Sequence, residues 1–236
     1  MVLGGKTAMT TRRGFMALSA AVPFLAPPLA SSQEASGGSA LVTGKIKPMK
    51  YEELKGFLSK DQLTPHHQAH YGGALKSLLQ IEQESLTADG SKANANYSAI
   101  RELKREEVHA MNSVILHELY FDGMSASGGD PGEAAQDVLK KRFGSVDRWV
   151  DDFKAAAVSA RGWAILALHP VSGKLYNFVS DVHDVGIPVL GIPLVVIDCY
   201  EHAFYVDYKN KKGDYIGGYP KHIDWAEIDR RFKAAK

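Results

Sequence analysis

Between residues 59 and 122 the apolar side chains keep a helical period, and between 164 and 197 they fall into short unbroken runs. That switch constrains the fold more than any other feature, because a helical stripe and a strand bury different faces. In the first stretch Leu63, His66, His70, Leu75, Leu78, Leu79 and Ile81 recur at helical spacing, and Ser59 with Gln62 suits a capping box. Asp89-Gly90-Ser91 breaks the pattern, and a second helix over about 98–122 carries Ile100, Leu103, Val108, Met111, Ile115 and Leu119. Two long helices with a short polar join make an antiparallel hairpin. After Gly128-Gly129-Asp130-Pro131-Gly132, the expected boundary, 133–143 and 146–161 read as helices. Residues 164–167, 175–179 and 194–197 suit strands, with Ser172-Gly173-Lys174 as a turn. Residues 201–208 and 225–232 read as closing helices. The expected class is α+β: a two-helix hairpin domain over 47–127, then an α/β domain over 128–236 with a small three-stranded antiparallel sheet.

The first residues follow other rules. Lys6, Arg12 and Arg13 are the only charges before residue 31, and an uncharged run from Gly14 to Ala30 includes Phe15, Leu18, Phe24, Pro27 and Pro28. A basic start, a short apolar run and a small-residue end predict an export signal over 1–30, too short and proline-broken for a membrane span. Thr11-Arg12-Arg13-Gly14-Phe15-Met16 resembles a twin-arginine signal, a route that carries folded proteins to the periplasm or beyond. A flexible small-residue leader is expected over 31–46. Removing 1–30 takes three of the 28 basic side chains and none of the 27 acidic ones, leaving a net charge of −2. Neither that value nor the full chain's +1 suits nucleic-acid binding.

One cysteine against nine histidines excludes an internal disulfide and any cysteine-built zinc or iron–sulfur site. A metal here has to be held by imidazole and carboxylate. His66 and His70 are spaced i, i+4 on one helix face, His117 lies on a helix with one buried side, and Asp198 with His202 follows an apolar strand. A carboxylate ending a buried strand is costly unless paired or metal-bound. Three imidazoles and one carboxylate suit a redox-capable first-row metal, with zinc open on donor type alone. Cys199 reads as a core thiol, and the single Glu106-x-x-His109 spacing as a solvated helix face.

Asp198-Cys199-Tyr200-Glu201-His202-Ala203-Phe204-Tyr205 resembles the signature D-x-[WF]-E-H-A-[FY]-[FY] of the iron/manganese superoxide dismutases, with Tyr200 where the family usually has Trp. The likeness runs over about 47–235, including Val206 to Asn210, Asp214-Tyr215 and Asp224-Trp225. It implies conversion of superoxide to O2 and H2O2 by redox cycling of one Mn or Fe ion per subunit. It implies His66, His117, Asp198 and His202 as ligands, His70 beside them, and Tyr120 in an H-x-x-Y spacing with His117. A rival register leaves Gln62 as the first ligand. The resemblance further implies an aromatic wall at Trp163. It puts a donor to the metal-bound solvent at His183, since Ser113 at the alternative position is too short. Contacts of Glu201, His202, His70 and Tyr205 across a homodimer are implied as well. The family's gateway Tyr falls on Ala74, and Tyr71, one turn earlier, is the expected substitute. No nucleic acid partner and, after processing, no membrane partner is expected. A second reading keeps the fold and metal without turnover, as an exported binding or structural protein. A third, a zinc hydrolase, needs a general base beside an open zinc site.

Overall fold

A computed structural model describes Met1 and residues 38–235. The export-signal reading of 1–30, apart from Met1, and the leader over 31–37 lie outside the described residues. From residue 38 onward the described chain forms one compact unit. Among the described residues no helix is long and apolar enough to cross a membrane.

The end of the expected flexible leader is ordered. Ser39 caps a single turn, α1 (Ala40–Thr43), and Gly44 closes it at φ 66°. Ala40 is fully buried, and its N–H donates to Glu118 Oε1 at 2.7 Å. Small-residue composition predicts mobility, but the acceptor that fixes this turn lies 78 residues away.

The first long helix is one rod in three registers. Ser59 Oγ caps α2 (Lys60–Pro65) by accepting the Gln62 N–H, then His66–Tyr71 widens to a π-helical segment before α3 (Gly72–Thr87). A π segment turns its side chains off the α-helical period, and such segments favour functional sites. A short turn, Gly90–Lys92, leads to α4 (Ala99–Asp122), which packs along α3 as the expected hairpin.

After α5 (Glu133–Phe143) and α6 (Val146–Ser159) the chain forms a three-stranded antiparallel sheet in the order β2-β1-β3. Its strands are β1 (Trp163–His169), β2 (Lys174–Ser180) and β3 (Ile192–Asp198). The first five residues of central β1 are buried, which explains its continuous apolar run. The register shifts between Leu166 and Ala167, where Ala167 faces Pro193. A proline with no N–H is tolerated on an edge strand at such an irregularity. Gly162 precedes β1 where a Cβ would lie 2.7 Å from the Ser180 carbonyl oxygen. The register then sets Trp163 opposite Asp198.

The end of the chain departs from the expected single helix over 201–208. Residues Glu201–Ala203 form a 3₁₀ turn, Phe204 breaks it at φ −143°, and α7 (Tyr205–Tyr208) follows. Next come α8 (Lys212–Gly218), a turn over Tyr219–His222, and α9 (Trp225–Ala234), capped by Asp224. Three glycines at 213, 217 and 218 leave α8 no apolar stripe to read. The buried Arg231 draws the parts together: it donates to the carbonyls of Leu194 in β3 and Leu119 in α4, and to Glu227.

Candidate metal centre

Four side chains from four separate elements meet beneath the sheet edge. His66 comes from the π segment, His117 from α4, Asp198 from the end of β3, and His202 from the 3₁₀ turn. Their candidate ligand atoms all lie within 4.8 Å of one another. Nε2 of His66, His202 and His117 lie 3.1, 3.2 and 3.7 Å from Asp198 Oδ2. His66, Asp198 and His117 are sealed from solvent, and His202 keeps 21% side-chain exposure.

The local backbone chooses which atoms face inward. Asp198 Oδ1 accepts the Tyr200 N–H at 2.9 Å, an Asx-type turn that leaves Oδ2 for the cluster. Nδ1 of His117 meets the Ser113 carbonyl at 2.7 Å and must donate to it. The neutral ring therefore presents a bare lone pair at Nε2, which is buried without a partner. Burial, before any charge effect, pushes the His117 imidazolium down to about 3, so the ring is neutral. Burial alone raises the Asp198 carboxyl. Hydrogen bonds from His202 and His66 outweigh it and hold the group well below the usual carboxylate range. A buried lone pair thus faces a buried carboxylate, an arrangement of two acceptors that a cation between them satisfies. The donor set fits one Mn or Fe ion.

The surrounding residues fix these orientations. Gln62 is outside the cluster; its Nε2 donates to the His202 carbonyl at 2.5 Å and its Oε1 accepts the Val206 N–H at 2.9 Å. It clamps the turn that carries His202, and only half of the expected capping box forms. Tyr215 donates to the Asp198 carbonyl at 2.9 Å, and Tyr120 donates to the Tyr215 hydroxyl at 2.9 Å. The expected Tyr120 therefore acts through a phenol pair under the strand end. Trp163 stands edge-on to the His117 ring at 5.1 Å and donates its Nε1–H to His183 Nδ1 at 2.9 Å. His70 stacks on His202 at 3.8 Å, and Tyr200 stacks on His202 at 5.2 Å.

One expectation needs correction. Tyr71 does not stand in for the missing hydroxyl at Ala74. Its hydroxyl donates to Glu118 Oε1 and accepts the Lys47 N–H, because its ring follows the π turn into the core beside α1. His67 also turns away and pairs with the Lys47 carbonyl. The sequence reading missed Gln62 and Tyr215 as supports of the site. For Tyr215 the signal was its burial-prone ring in an otherwise glycine-rich helix; for Gln62, a buried amide one turn before a ligand.

Residues 131–231 match the family model for the iron/manganese superoxide dismutases, C-terminal domain. The chain is 45% identical over 199 residues to a superoxide dismutase [Fe] of Aquifex aeolicus (strain VF5), covering 81% of this chain and 92% of the relative. The corresponding Aquifex pyrophilus protein is 43% identical over 198 residues, with the same coverage. A superoxide dismutase [Mn] 2 of Haloferax volcanii is 32% identical over 189 residues, covering 80% of this chain and 94% of the relative. Together with the His/Asp cluster, these similarities lead to one conclusion: the chain belongs to the iron/manganese superoxide dismutase family.

Proposed function

We propose that this protein is a superoxide dismutase that holds one Mn or Fe ion at His66, His117, Asp198 and His202. The observation that carries the reading is the bare Nε2 of His117 buried against the Asp198 carboxylate. When bound, Mn or Fe supplies a centre that changes oxidation state by one electron, so that one superoxide is oxidised to O2 and a second, with two protons, is reduced to H2O2. The chain's own residues bind and orient it. Two ligands come from 47–127 and two from 128–236, so both halves are needed. Trp163 and Tyr200 form an aromatic wall that limits water at the His117 and His202 rings. His183 accepts the Trp163 N–H at Nδ1, so its own proton sits on Nε2. Burial, then the nearby His109, pushes His183 down to about 4, which keeps it a neutral donor for the protons peroxide requires.

A homodimer extends this reading. Glu201 is exposed and Tyr205 is 48% exposed, both within three residues of His202. With His70 they offer a second copy a carboxylate, a phenol and an imidazole at the mouth of the site. Export by the twin-arginine route rests on Arg12-Arg13 directly before the uncharged run, and places the mature enzyme in the periplasm or outside the cell. With a mature net charge of −2, attraction of the anionic substrate has to be local.

Metal content and superoxide consumption of the wild type and His66→Ala test the assignment. Mn- or Fe-loaded wild type is expected to dismutate, and His66→Ala to lose metal affinity by more than the roughly 10- to 100-fold that loss of an outer partner costs. Retention of metal by His66→Ala contradicts the ligand set. Ala74 and the turned-away Tyr71 favour one second reading, a metal-binding member without turnover. A fully loaded, inactive wild type would establish it.

A further inference from the structure

His183 sits in a loop between β2 and β3 that has neither helix nor strand from Asp181 to Gly191. Its ring nevertheless occupies a defined place, 5.8 Å from Trp163, 5.3 Å from Tyr200 and 6.1 Å from His117. One hydrogen bond, from Trp163 Nε1–H to Nδ1, reaches the ring itself. A single bond onto an irregular loop is a weak way to fix an imidazole, since the ring still turns about two side-chain torsions while the backbone shifts.

Two side chains of α4 supply the rest. His109 Nδ1 lies 2.7 Å from Asp184 Oδ1, and the imidazole N–H donates to that carboxylate. Asn112 Nδ2 donates to the His183 carbonyl at 3.1 Å. The His109 ring also packs edge-on against the His183 ring at 4.7 Å. Backbone, neighbouring side chain and ring of the loop histidine are therefore each held from a different direction. Two of the holders stand on the helix that carries His117, so the loop is registered to the ligand helix. The Glu106-x-x-His109 stretch that reads as a solvated face contains this inward contact, and His109 keeps only 37% side-chain exposure.

We propose that His109 is a positioning residue for His183, acting through Asp184 and alongside Asn112. The role rests on the reading of His183 as the proton donor of the site. His109 is not one of the four clustered side chains. It sets where the His183 Nε2 proton is presented.

The full chain loaded with diamagnetic zinc allows NMR of the Trp163 indole N–H, assigned with Trp163→Phe. In the wild type this proton is expected to be hydrogen-bonded and slow to exchange, and His183→Ala to release it. His109→Ala is expected to quicken its exchange about two- to tenfold, the worth of one ordinary hydrogen bond. His109→Asn, whose amide donates from the Nδ1 position, is expected to restore the wild-type signal, and Asp184→Ala to reproduce His109→Ala. In the Fe-loaded protein, His109→Ala is expected to move the reduction potential in the same direction as His183→Ala, by less. If His183→Ala leaves the potential unchanged, the donor reading of His183 fails. If His183→Ala moves it while His109→Ala moves neither the potential nor the indole signal, the positioning role fails. Folding of each variant is checked by its zinc content, and Asp184→Ala, which removes the acceptor itself, carries the test if His109→Ala does not fold.

Discussion

Single residues decide the site here by where their second polar atom goes. Burial keeps His117 neutral, the Ser113 carbonyl holds its proton at Nδ1 and so leaves Nε2 bare, and Asp198 offers Oδ2 because its Oδ1 accepts the Tyr200 N–H. Gln62 shows the same logic in a residue that never enters the cluster. Its amide spans the His202 carbonyl and the Val206 N–H. Gln62→Glu keeps the shape but replaces the donor with an acceptor facing the carbonyl. That variant is expected to stay folded by circular dichroism and to lose about 10- to 100-fold in Mn or Fe affinity, measured by chelator competition. An unchanged affinity would show that the His202 turn needs no clamp. The four clustered residues were legible in the sequence because Asp198 ends an apolar strand, where a carboxylate is costly without a partner, and because the Asp198–Tyr205 signature carries a family resemblance that implies the three histidines. Gln62 was legible as a cap partner and a rival ligand but not as a clamp, because the groups it spans are 140 and 144 residues away.

At the scale of elements, α9 illustrates how a short helix secures the strand that ends in Asp198. Arg231 reaches β3 and α4 through two carbonyls, and Glu227 fixes its guanidinium. Burial raises the Glu227 carboxyl, but hydrogen bonds and charge from Arg230 and Arg231 outweigh this and lower it from its ordinary 4.5. A lowered carboxyl stabilises the fold fully above its unfolded value, and that contribution is lost as pH falls through the lowered value. The difference in thermal midpoint between the wild type and Glu227→Gln is therefore expected to be constant above about pH 5 and to shrink as the pH falls below the ordinary carboxyl value of 4.5. A difference that stays flat over that range would assign the stabilisation to packing. The three strands were legible from their apolar runs, each short by one or two residues at either end, although Trp163, Ser180 and Asp198 at those ends are buried. The π segment was not, since the His66/His70 spacing fits an α-helix equally well. The break at Phe204 followed no local signal either; it comes from the turn that brings His202 back to Asp198.

For the molecule as a whole, the helical hairpin and the sheet half each contribute two of the four clustered side chains, so neither half forms the cluster alone. The broad plan was readable because the hydrophobic period changes once and the Asp198–Tyr205 signature anchors the second half. The folded end of the leader was not readable, because Ala40 is held by Glu118 across the hairpin rather than by anything beside it. The central claim is that one filled site makes one dismutating centre. It is tested most directly by measuring superoxide consumption against Mn or Fe content over a series of partially loaded samples of the wild type. The account predicts activity that rises linearly from zero and saturates at one ion per chain. Full occupancy of the site without superoxide consumption would contradict it.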